Sequence, residues 1–292
     1  MKIAVYGRKI EERFRVFIDE FFHTLKNYHF DILLHEDFYK CLKENSGTVP
    51  VPEKLFNKYE DIKNDADFMV SIGGDGTFLD TISIVKDSNI PVIGINTGKL
   101  GFLASISQDN MKAAIDSLYH GKYTIEKRSV IEMQTSKDVF GKFNYALNDV
   151  TIQKKSSEMI TVHVYIDDKY LNTYWSDGLI VATPTGSTAY SLSVGGPVVL
   201  PNASNFIISP ISPHNLTMRP LVIPDDTKLV LKPEGRCDKY LLSMDHRSAV
   251  IDRSTQISLK KAPFHIHVLR LNDSSYYSTL RNKLMWGMDK RN

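Results

Sequence analysis

The chain reads Phe68-Met69-Val70-Ser71-Ile72-Gly73-Gly74-Asp75-Gly76-Thr77-Phe78-Leu79 across residues 68–79. The first five residues are typical of a buried strand, and the apolar residues from Phe78 onward recur at helical spacing. A strand, a glycine-rich turn and a helix form the setting in which free backbone N–H groups and the helix dipole bind an anion. The segment matches neither the G-x-G-x-x-G fingerprint nor a P-loop, which ends in Gly-Lys-Ser/Thr.

Asp75 is the unusual residue of this turn, because a carboxylate among phosphate-binding amides repels phosphate unless it has a task. It could hold Mg²⁺, or it could take the proton of an attacking hydroxyl group. The alternative is that Asp75 only caps the following helix, with Thr77 beside it. The buried strand before the turn and a second glycine-rich segment later in the chain favour the functional interpretation.

Strand and helix signals alternate on both sides of this turn, which predicts a doubly wound parallel sheet in an α/β domain spanning residues 1–122. We expect strands at 2–6, 30–34, 68–72 and 91–96, helices at 10–28 and 111–118, and a loop with one irregular helix at 45–65. The first helix is inferred from apolar residues at helical spacing between Ile10 and Leu25.

After residue 122, short β-type runs separated by turns predict a β-rich, mainly antiparallel domain spanning residues 123–272. One helix is expected to start near Ser187. Residues 273–292, which include Leu284 and Trp286, predict a terminal helix or a partly ordered tail. The β-type runs lie at 123–134, 143–153, 160–166, 170–174, 179–182, 229–232, 240–244, 249–251, 256–260 and 265–271.

The second glycine-rich segment begins at Asp177-Gly178 and ends at Ser193. A strand at 179–182 leads into a turn and a helix rich in hydroxyl groups, which suggests recognition of sugar and amide groups through neutral hydrogen bonds. A simple capped helix start is the alternative. Asp177 could bind a ribose hydroxyl or an amide, because it is an acid beside a glycine.

Two further places combine polar or aromatic residues with loops. Asn148 and Asp149 interrupt an apolar strand, where polar groups are costly unless they are paired, and a surface β-bulge is the alternative. Phe102, in the loop 96–103, could stack on a base or fill the core. Glycines at 98 and 101 would let that loop fold back to the carboxyl edge of the sheet, where ligands gather.

Composition excludes several classes of protein. The 292 residues carry a net charge of +2, which gives no support to a nucleic-acid binder with a broad basic surface. No apolar run approaches the roughly 18 residues of a membrane span, and the N-terminus does not resemble a signal peptide. Cys41 and Cys237 provide neither a disulfide framework nor zinc spacing. We therefore expect a cytoplasmic protein without nucleic-acid or membrane partners.

Taken together, the motifs resemble those of the NAD kinase family. The resemblance rests on Gly73–Thr77, Asn96–Phe102, Leu147–Asp149 and the long run Asp177–Ser193, which Gly195-Gly196-Pro197 follows. The first motif alone is weak, because diacylglycerol, sphingosine and 6-phosphofructo kinases carry relatives of it. The long run is specific to the family. Pro213-His214 and Arg219-Pro220-Leu221 follow in the order that the family shows.

This resemblance implies an N-terminal α/β domain, a C-terminal layered β domain, a dinucleotide in the cleft between them, and a chain end that packs back on the first domain. It also implies the reaction: phosphoryl transfer from ATP, with Mg²⁺ or another divalent metal, to the 2′-hydroxyl of the adenosine ribose of NAD, giving NADP. No residue is assigned as a metal ligand. A homodimer or homotetramer formed through the β domain is expected.

The resemblance also implies roles for individual residues. Asp75 matches the general base that takes the proton of the ribose hydroxyl and contacts NAD. The phosphate site would be lined by Gly73, Gly74, Gly76 and Thr77, of which Gly76 also touches NAD. Further NAD contacts are Asn148 and Thr188 on the adenine side, Asp149 on the ribose, Asp177 and Ala189 on the nicotinamide side, and Phe102, Thr185, Tyr190 and Ser193.

Two positions depart from the family pattern. Trp175 stands where many members have Arg, Gln, His or Gly, at a position associated with discrimination between NAD and NADH; we include it among the NAD contacts. The usual Asp-Gly-Gln late in the second domain is Asp245-His246-Arg247 here. Arg247 could reach a phosphate of the ligand, and a solvated turn is the alternative.

Two other functions remain open at this point. A lipid kinase would share the Gly-Gly-Asp-Gly turn but needs an apolar groove, whereas 177–193 supplies hydroxyl groups. A non-catalytic NADP-binding sensor would share the fold, and the intact Asp75 argues against it. The sequence does not choose between ATP, another nucleoside triphosphate and polyphosphate as donor.

Overall fold

The structure is a computed structural model that describes residues 1–9, 11–45, 49–98, 101–235, 238–272 and 275–285. The chain forms two compact units, one made of Met1–Glu126 with the chain from Ile266 onward, and one made of Lys127–His265. The predictions that involve Ile10, Lys99, Leu100, Cys237 and Trp286 lie outside the described residues.

The strands are, in chain order, β1 (Lys2–Gly7), β2 (Asp31–His35), β3 (Lys54–Phe56), β4 (Phe68–Ile72), β5 (Val92–Ile95), β6 (Tyr123–Arg128), β7 (Ile131–Thr135), β8 (Tyr145–Ala146), β9 (Asp149–Lys154), β10 (Ile160–Ile166), β11 (Lys169–Ser176), β12 (Gly178–Ala182), β13 (Asn205–Ile211), β14 (Leu221–Pro224), β15 (Leu229–Glu234), β16 (Lys239–Met244), β17 (Arg247–Asp252), β18 (Ile257–Lys261) and β19 (Ile266–Leu271). The α-helices are α1 (Arg15–Asn27), α2 (Glu36–Asn45), α3 (Tyr59–Ile62), α4 (Asp75–Val85), α5 (Met111–Tyr119), α6 (Tyr190–Ser193) and α7 (Tyr276–Leu284). Short 3₁₀ helices lie at Glu12–Phe14, Gln108–Asn110 and Thr185–Thr188. None of these helices is long and apolar enough to cross a membrane.

The first unit is built on a seven-stranded sheet with the order β3-β2-β1-β4-β5-β19-β6. Neighbouring strands from β3 to β19 run parallel. The apolar stripe of α1, with Phe17, Phe21 and Leu25, packs into the same hydrophobic cluster as Ile3 and Val5 of β1. The predicted α/β domain with a parallel sheet is confirmed, and its carboxyl strand edge carries the β4–α4 turn.

The second unit contains two six-stranded antiparallel sheets, with the orders β11-β10-β15-β18-β7-β8 and β14-β13-β12-β9-β16-β17. One hydrophobic cluster takes Val162 and Leu231 from the first sheet and Ile152, Val181 and Leu242 from the second. The two sheets therefore share a core, as layered β domains do. The predicted layered, antiparallel β domain is confirmed.

Several elements differ from the sequence predictions. The strand at Ile266–Leu271, expected in the second domain, joins the parallel sheet of the first unit beside β5. Its alternating sequence suggested an antiparallel strand, yet Val268, Leu269 and Arg270 are consecutively buried, as in a strand covered on both faces. The single run expected at 123–134 is two strands, β6 and β7, which belong to different sheets. Helix α2 and strands β13 and β14 were not predicted.

Candidate active site

The glycine-rich turn lies where β4 ends and α4 begins. Gly74 is the N-cap of α4, and a β-carbon at Gly74 would meet nothing within 4 Å. Open space therefore adjoins the first turn of a helix of 11 residues, whose leading N–H groups lack intrahelical partners and attract anions. Thr77, in contrast, is buried and packs against Gly73.

The carboxylate of Asp75 is held by three consecutive backbone amides of the loop that follows β5. Oδ2 accepts from Phe102 N at 2.9 Å, and Oδ1 accepts from Leu103 N at 3.1 Å and Ala104 N at 2.9 Å. Because Gly74 is the N-cap, Asp75 does not cap its own helix. The side chain is 33% exposed, so a substrate can reach it.

The same loop explains a glycine. A β-carbon on Gly101 would overlap the carboxylate of Asp75, so only glycine lets the chain pass this close. The loop is closed by Asn96, whose backbone N–H donates to Ile106 O at 2.7 Å and whose Oδ1 accepts from Gly98 N at 2.6 Å. The orientation of Asp75 is therefore fixed by the fold.

Phe102 is half-buried in this loop. Its ring centroid lies 6.4 Å from that of Tyr276 in α7. The ring thus lies next to the terminal helix of the same unit and does not fill the core completely. Its role as an NAD contact stays a prediction.

In the second unit, the carboxylate of Asp245 holds the segment that contains Asn148 and Asp149. Its Oδ2 accepts from Leu147 N at 2.9 Å, and its Oδ1 accepts from Asn148 N at 2.7 Å and Asp149 N at 3.2 Å. The backbone N–H of Asp245 donates to Asp149 O at 2.9 Å. Asp245 has a φ of 52° in the turn between β16 and β17. The hairpin turn and the segment are thus tied together in both directions.

Asp149 is buried, 6% exposed, at the start of β9. Burial raises the pKa of Asp149 from 3.8 to about 7; the nearby charge of Asp245 adds to this effect, and a hydrogen bond to Thr151 opposes it. Thr151 Oγ1 donates to Asp149 Oδ1 at 3.0 Å. Asp149 is therefore not on a surface bulge, and its raised pKa favours the protonated form, which can donate a hydrogen bond.

The turn after β12 packs on this same segment. Thr183 N donates to Asn148 O at 2.9 Å, and Thr183 Oγ1 donates to Leu147 O. A β-carbon on Gly186 would overlap the carbonyl of Asn148, which accounts for the glycine there. The structure thus brings the Asn148–Asp149 segment and the second glycine-rich segment into contact, as a shared binding site requires.

Comparisons with known proteins give one consistent result. Residues 11–123 match the family model described as the ATP-NAD kinase N-terminal domain, and residues 147–271 match the ATP-NAD kinase C-terminal domain. The NAD kinase of Cytophaga hutchinsonii is 42% identical over 293 residues, and that of Flavobacterium psychrophilum is 41% identical over 295 residues; each comparison covers 100% of both chains. The chain belongs to the NAD kinase family.

Solved structures agree with this membership. An NAD kinase from Archaeoglobus fulgidus in complex with ATP has a TM-score of 0.73 at 25% identity, covering 98% of this chain and 99% of that one. Yeast NADH kinase complexed with NADH has a TM-score of 0.85 at 24% identity, covering 99% and 89%, which shows a shared fold. As a member of this family, the protein is a kinase.

Two of the remaining predicted NAD contacts of this NAD kinase family member, Asp177 and Tyr190, touch residues of β9. Asp177 forms an ion pair with Lys154 at 2.7 Å, and Tyr190 Oη accepts from Gln153 Nε2 at 2.9 Å. These two residues therefore lie at the end of β9, whereas Asn148 and Asp149 lie at its start. Six residues of strand separate the two ends by roughly 17 Å. Of the other predicted contacts, Thr185 is buried, Thr188 and Ala189 are half-buried, and Trp175 and Ser193 are exposed.

Arg247 occupies a defined place rather than a solvated turn. Its Nη1 donates to Phe143 O at 2.6 Å and its Nη2 donates to Tyr145 O at 2.6 Å. The guanidinium carbon lies 4.8 Å from the ring centroid of Phe143, and burial lowers the pKa of Arg247. These contacts commit two of its nitrogens to backbone carbonyls, and phosphate contact stays a prediction.

Sequence reasoning missed two charged residues near these segments. Asp245 was noted only as a departure from the family pattern, and a signal for it was the polar turn directly after β16. Arg8, directly after β1, forms an ion pair with Asp80 in which Nη2 lies 2.8 Å from Oδ1, and the same Nη2 lies 3.4 Å from Gly76 O. A cation at the carboxyl end of the first strand was the signal for Arg8.

Proposed function

We propose that the protein transfers the terminal phosphoryl group of ATP to the 2′-hydroxyl of the adenosine ribose of NAD, giving NADP. The observation that carries the proposal is the carboxylate of Asp75, held by three amides at the open start of α4. A purely phosphate-binding turn has no use for an oriented carboxylate. A turn that must also accept a proton does.

The proposed transfer involves one bond formed, one bond broken and one proton moved. The 2′-oxygen forms a bond to the terminal phosphorus, the bond between that phosphorus and the oxygen that stays with ADP breaks, and the hydroxyl proton passes to Asp75. Because the transition state of phosphoryl transfer is loose, alignment and electrostatic stabilisation carry most of the acceleration. The hydrogen bonds from the three backbone N–H groups contribute to that alignment, because they hold the Asp75 carboxylate in a single orientation.

These residues are compatible with a divalent cation such as Mg²⁺ if the phosphates of the substrate supply most of its ligands. The described part of the chain contains no group of three or more His, Cys, Asp or Glu side chains that could hold a metal. Mg²⁺ is commonly held by one or two carboxylates together with substrate phosphates, so a protein cage is not needed. When bound, the ion would neutralise phosphate charge, with Asp75 as the neighbouring carboxylate.

Recognition of the dinucleotide is proposed for the second unit. Asn148 and Thr188 would contact the adenine, and Asp149 would contact the ribose. Asp149 is buried and its pKa is raised, and in its protonated form it can both donate and accept a hydrogen bond, which suits a ribose hydroxyl. Asp177 and Ala189 would contact the nicotinamide side, and Tyr190 and Ser193 would line the same binding site. We further propose that the protein acts in the cytoplasm, as a homodimer or homotetramer formed through the β domain.

The test is incubation of the protein with ATP, Mg²⁺ and NAD, followed by measurement of NADP. Formation of NADP phosphorylated at the 2′ position is expected. Phosphorylation of diacylglycerol or sphingosine without NADP would favour a lipid kinase instead. Tight binding of NADP without turnover would favour a sensor. Replacing ATP by polyphosphate in the same assay identifies the donor.

A further inference from the structure

The terminal helix α7 is anchored in the first unit and carries a lysine to the candidate site. The helix begins after Ser275, whose hydroxyl accepts from Tyr277 N at 3.2 Å, and Thr279 and Leu280 are buried. One turn after these buried residues, the helix presents Lys283. The position of Lys283 is therefore set by packing of the helix.

Lys283 Nζ lies 3.9 Å from Asp75 Oδ2 and 4.7 Å from the ring centroid of Phe102. The first distance is longer than a hydrogen bond, so the ammonium donors are not bound to Asp75. The carboxylate of Asp75 already accepts three backbone N–H groups. The side chains of Lys283 and Asp75 are 31% and 33% exposed, so a ligand can reach both of these neighbouring groups.

Arg8 is a second cation beside the glycine-rich turn, and unlike Lys283 it forms a close ion pair. Its Nε and Nη2 both donate to the carboxylate of Asp80, at 2.5 and 2.8 Å, and Tyr6 Oη donates to the same carboxylate at 3.0 Å. The charge of Arg8 is therefore balanced by a closely paired acid. Lys283 instead faces Asp75, which would have to accept a proton during transfer.

We propose that Lys283 is a further catalytic residue, whose ammonium binds the oxygens of the phosphoryl group as it passes Asp75. The proposal rests on the proposed function. A phosphoryl group that approaches Asp75 is repelled by its carboxylate, and a lysine within 4 Å of that carboxylate offsets the repulsion. Lys283 gives up no proton in this step; the hydroxyl proton still passes to Asp75.

The experiment compares Lys283→Met with Arg281→Met, an exposed cation of the same helix whose loss removes the same charge. For Lys283→Met we expect kcat/KM for ATP to fall about 10- to 100-fold, while KM for NAD changes less than about twofold. Lys283→Arg should recover part of the activity, since it keeps the charge. Arg281→Met should stay within about twofold of the wild type, and both Met variants should melt alike.

A binding measurement separates this proposal from the proposed function. Titration of the full-length protein with magnesium tripolyphosphate requires no turnover, and we expect Lys283→Met to bind it at least about fivefold more weakly than Arg281→Met does. Absence of NADP formation by the wild type would overturn the proposed function alone. If Lys283→Met matches Arg281→Met in tripolyphosphate binding and in kcat/KM for ATP, Lys283 does not contact the phosphoryl group.

Discussion

Asp75 in the first unit and Asp245 in the second use the same hydrogen-bonding device. In each case, Oδ2 accepts from one backbone amide and Oδ1 accepts from the next two, over residues 102–104 and 147–149 respectively. The surroundings differ. Asp75 lies at an open helix start beside Lys283, whereas Asp245 lies in a hairpin turn beside buried Asp149.

This difference teaches that a carboxylate bound by amides is not itself a site. Where an accessible face remains, as at Asp75, the amides orient a group that can do chemistry. At Asp245 a second acid lies close by, and the backbone N–H of Asp245 itself donates back to the segment. There the carboxylate instead fixes the conformation of the segment that it binds. We therefore expect loss of Asp75 to lower turnover and loss of Asp245 to weaken dinucleotide binding.

The largest effect is expected from Asp75→Asn. Removal of a general base typically costs about 10²–10⁴ in rate, so kcat for NADP formation should fall by that factor. NAD should still bind, because most of its proposed contacts lie in the second unit. Steady-state kinetics and calorimetric titration with NAD check the two halves of this prediction. Normal turnover by the variant would remove Asp75 from the mechanism.

Gly101→Ala tests whether the orientation of Asp75 matters as much as its charge. The new methyl group would overlap the Asp75 carboxylate, so the loop must move and the three hydrogen bonds from its backbone N–H groups to Asp75 must lengthen. We expect a loss of about 10²-fold in kcat, as for a misplaced catalytic group. Gly141→Ala is the control for a glycine replacement that strains the backbone without touching Asp75, because Gly141 has a φ of 66° and a β-carbon there would meet nothing within 4 Å. Equal activity of the two variants would contradict the role of the loop.

Asp245→Asn tests the other half of the comparison. The amide nitrogen would face a backbone N–H, leaving at least one buried donor unpaired at a cost of about 1–3 kcal/mol. We expect KM for NAD to rise about tenfold or more while kcat changes less than about threefold. Asp225→Asn is the matched control, because Asp225 is a buried acid of the same unit bonded to Ser129 and Lys261. A rise in KM in both variants would mean a general loss of structure.

The last effect concerns the pH dependence of stability at Asp149 and leaves activity aside. Its pKa is raised on folding, so the folded chain binds the proton more tightly than the unfolded chain does. Stability should therefore fall as pH rises from about 4 to about 7, then level off. Between pH 5 and pH 8 the wild type should lose about 3 kcal/mol more than Asp149→Asn. Urea unfolding at both pH values measures this, and parallel losses would show that Asp149 ionises normally.

Local sequence pattern was enough for the glycine-rich turn and for the fold class. The run 68–79 predicted the strand, the turn, the helix and the unusual carboxylate, because all of these depend on neighbouring residues. Helix α2 was missed because its buried anchors Phe38 and Leu42, with half-buried Tyr39, stand among charged residues. Strand β19 was assigned to the wrong neighbours, because strand pairing depends on topology.

The partners of the site residues could not be predicted, for a physical reason. Asp75 meets amides 27–29 residues away, and Asp245 meets amides 96–98 residues away. A backbone amide has no side-chain signature, so no residue type marks residues 102–104 or 147–149 as donors. The contact between Lys283 and Asp75 spans most of the chain and likewise has no local signal.

One measurement tests the central claim most directly: kcat and KM for NAD, determined for Asp75→Asn and Asp245→Asn in the same ATP-dependent NADP assay. If the two carboxylates have the same hydrogen bonds but different roles, the Asp75 variant should lose kcat and keep its affinity for NAD. The Asp245 variant should lose affinity for NAD and keep a nearly unchanged kcat. The same pattern of loss in both variants, or the reverse assignment, would contradict the account.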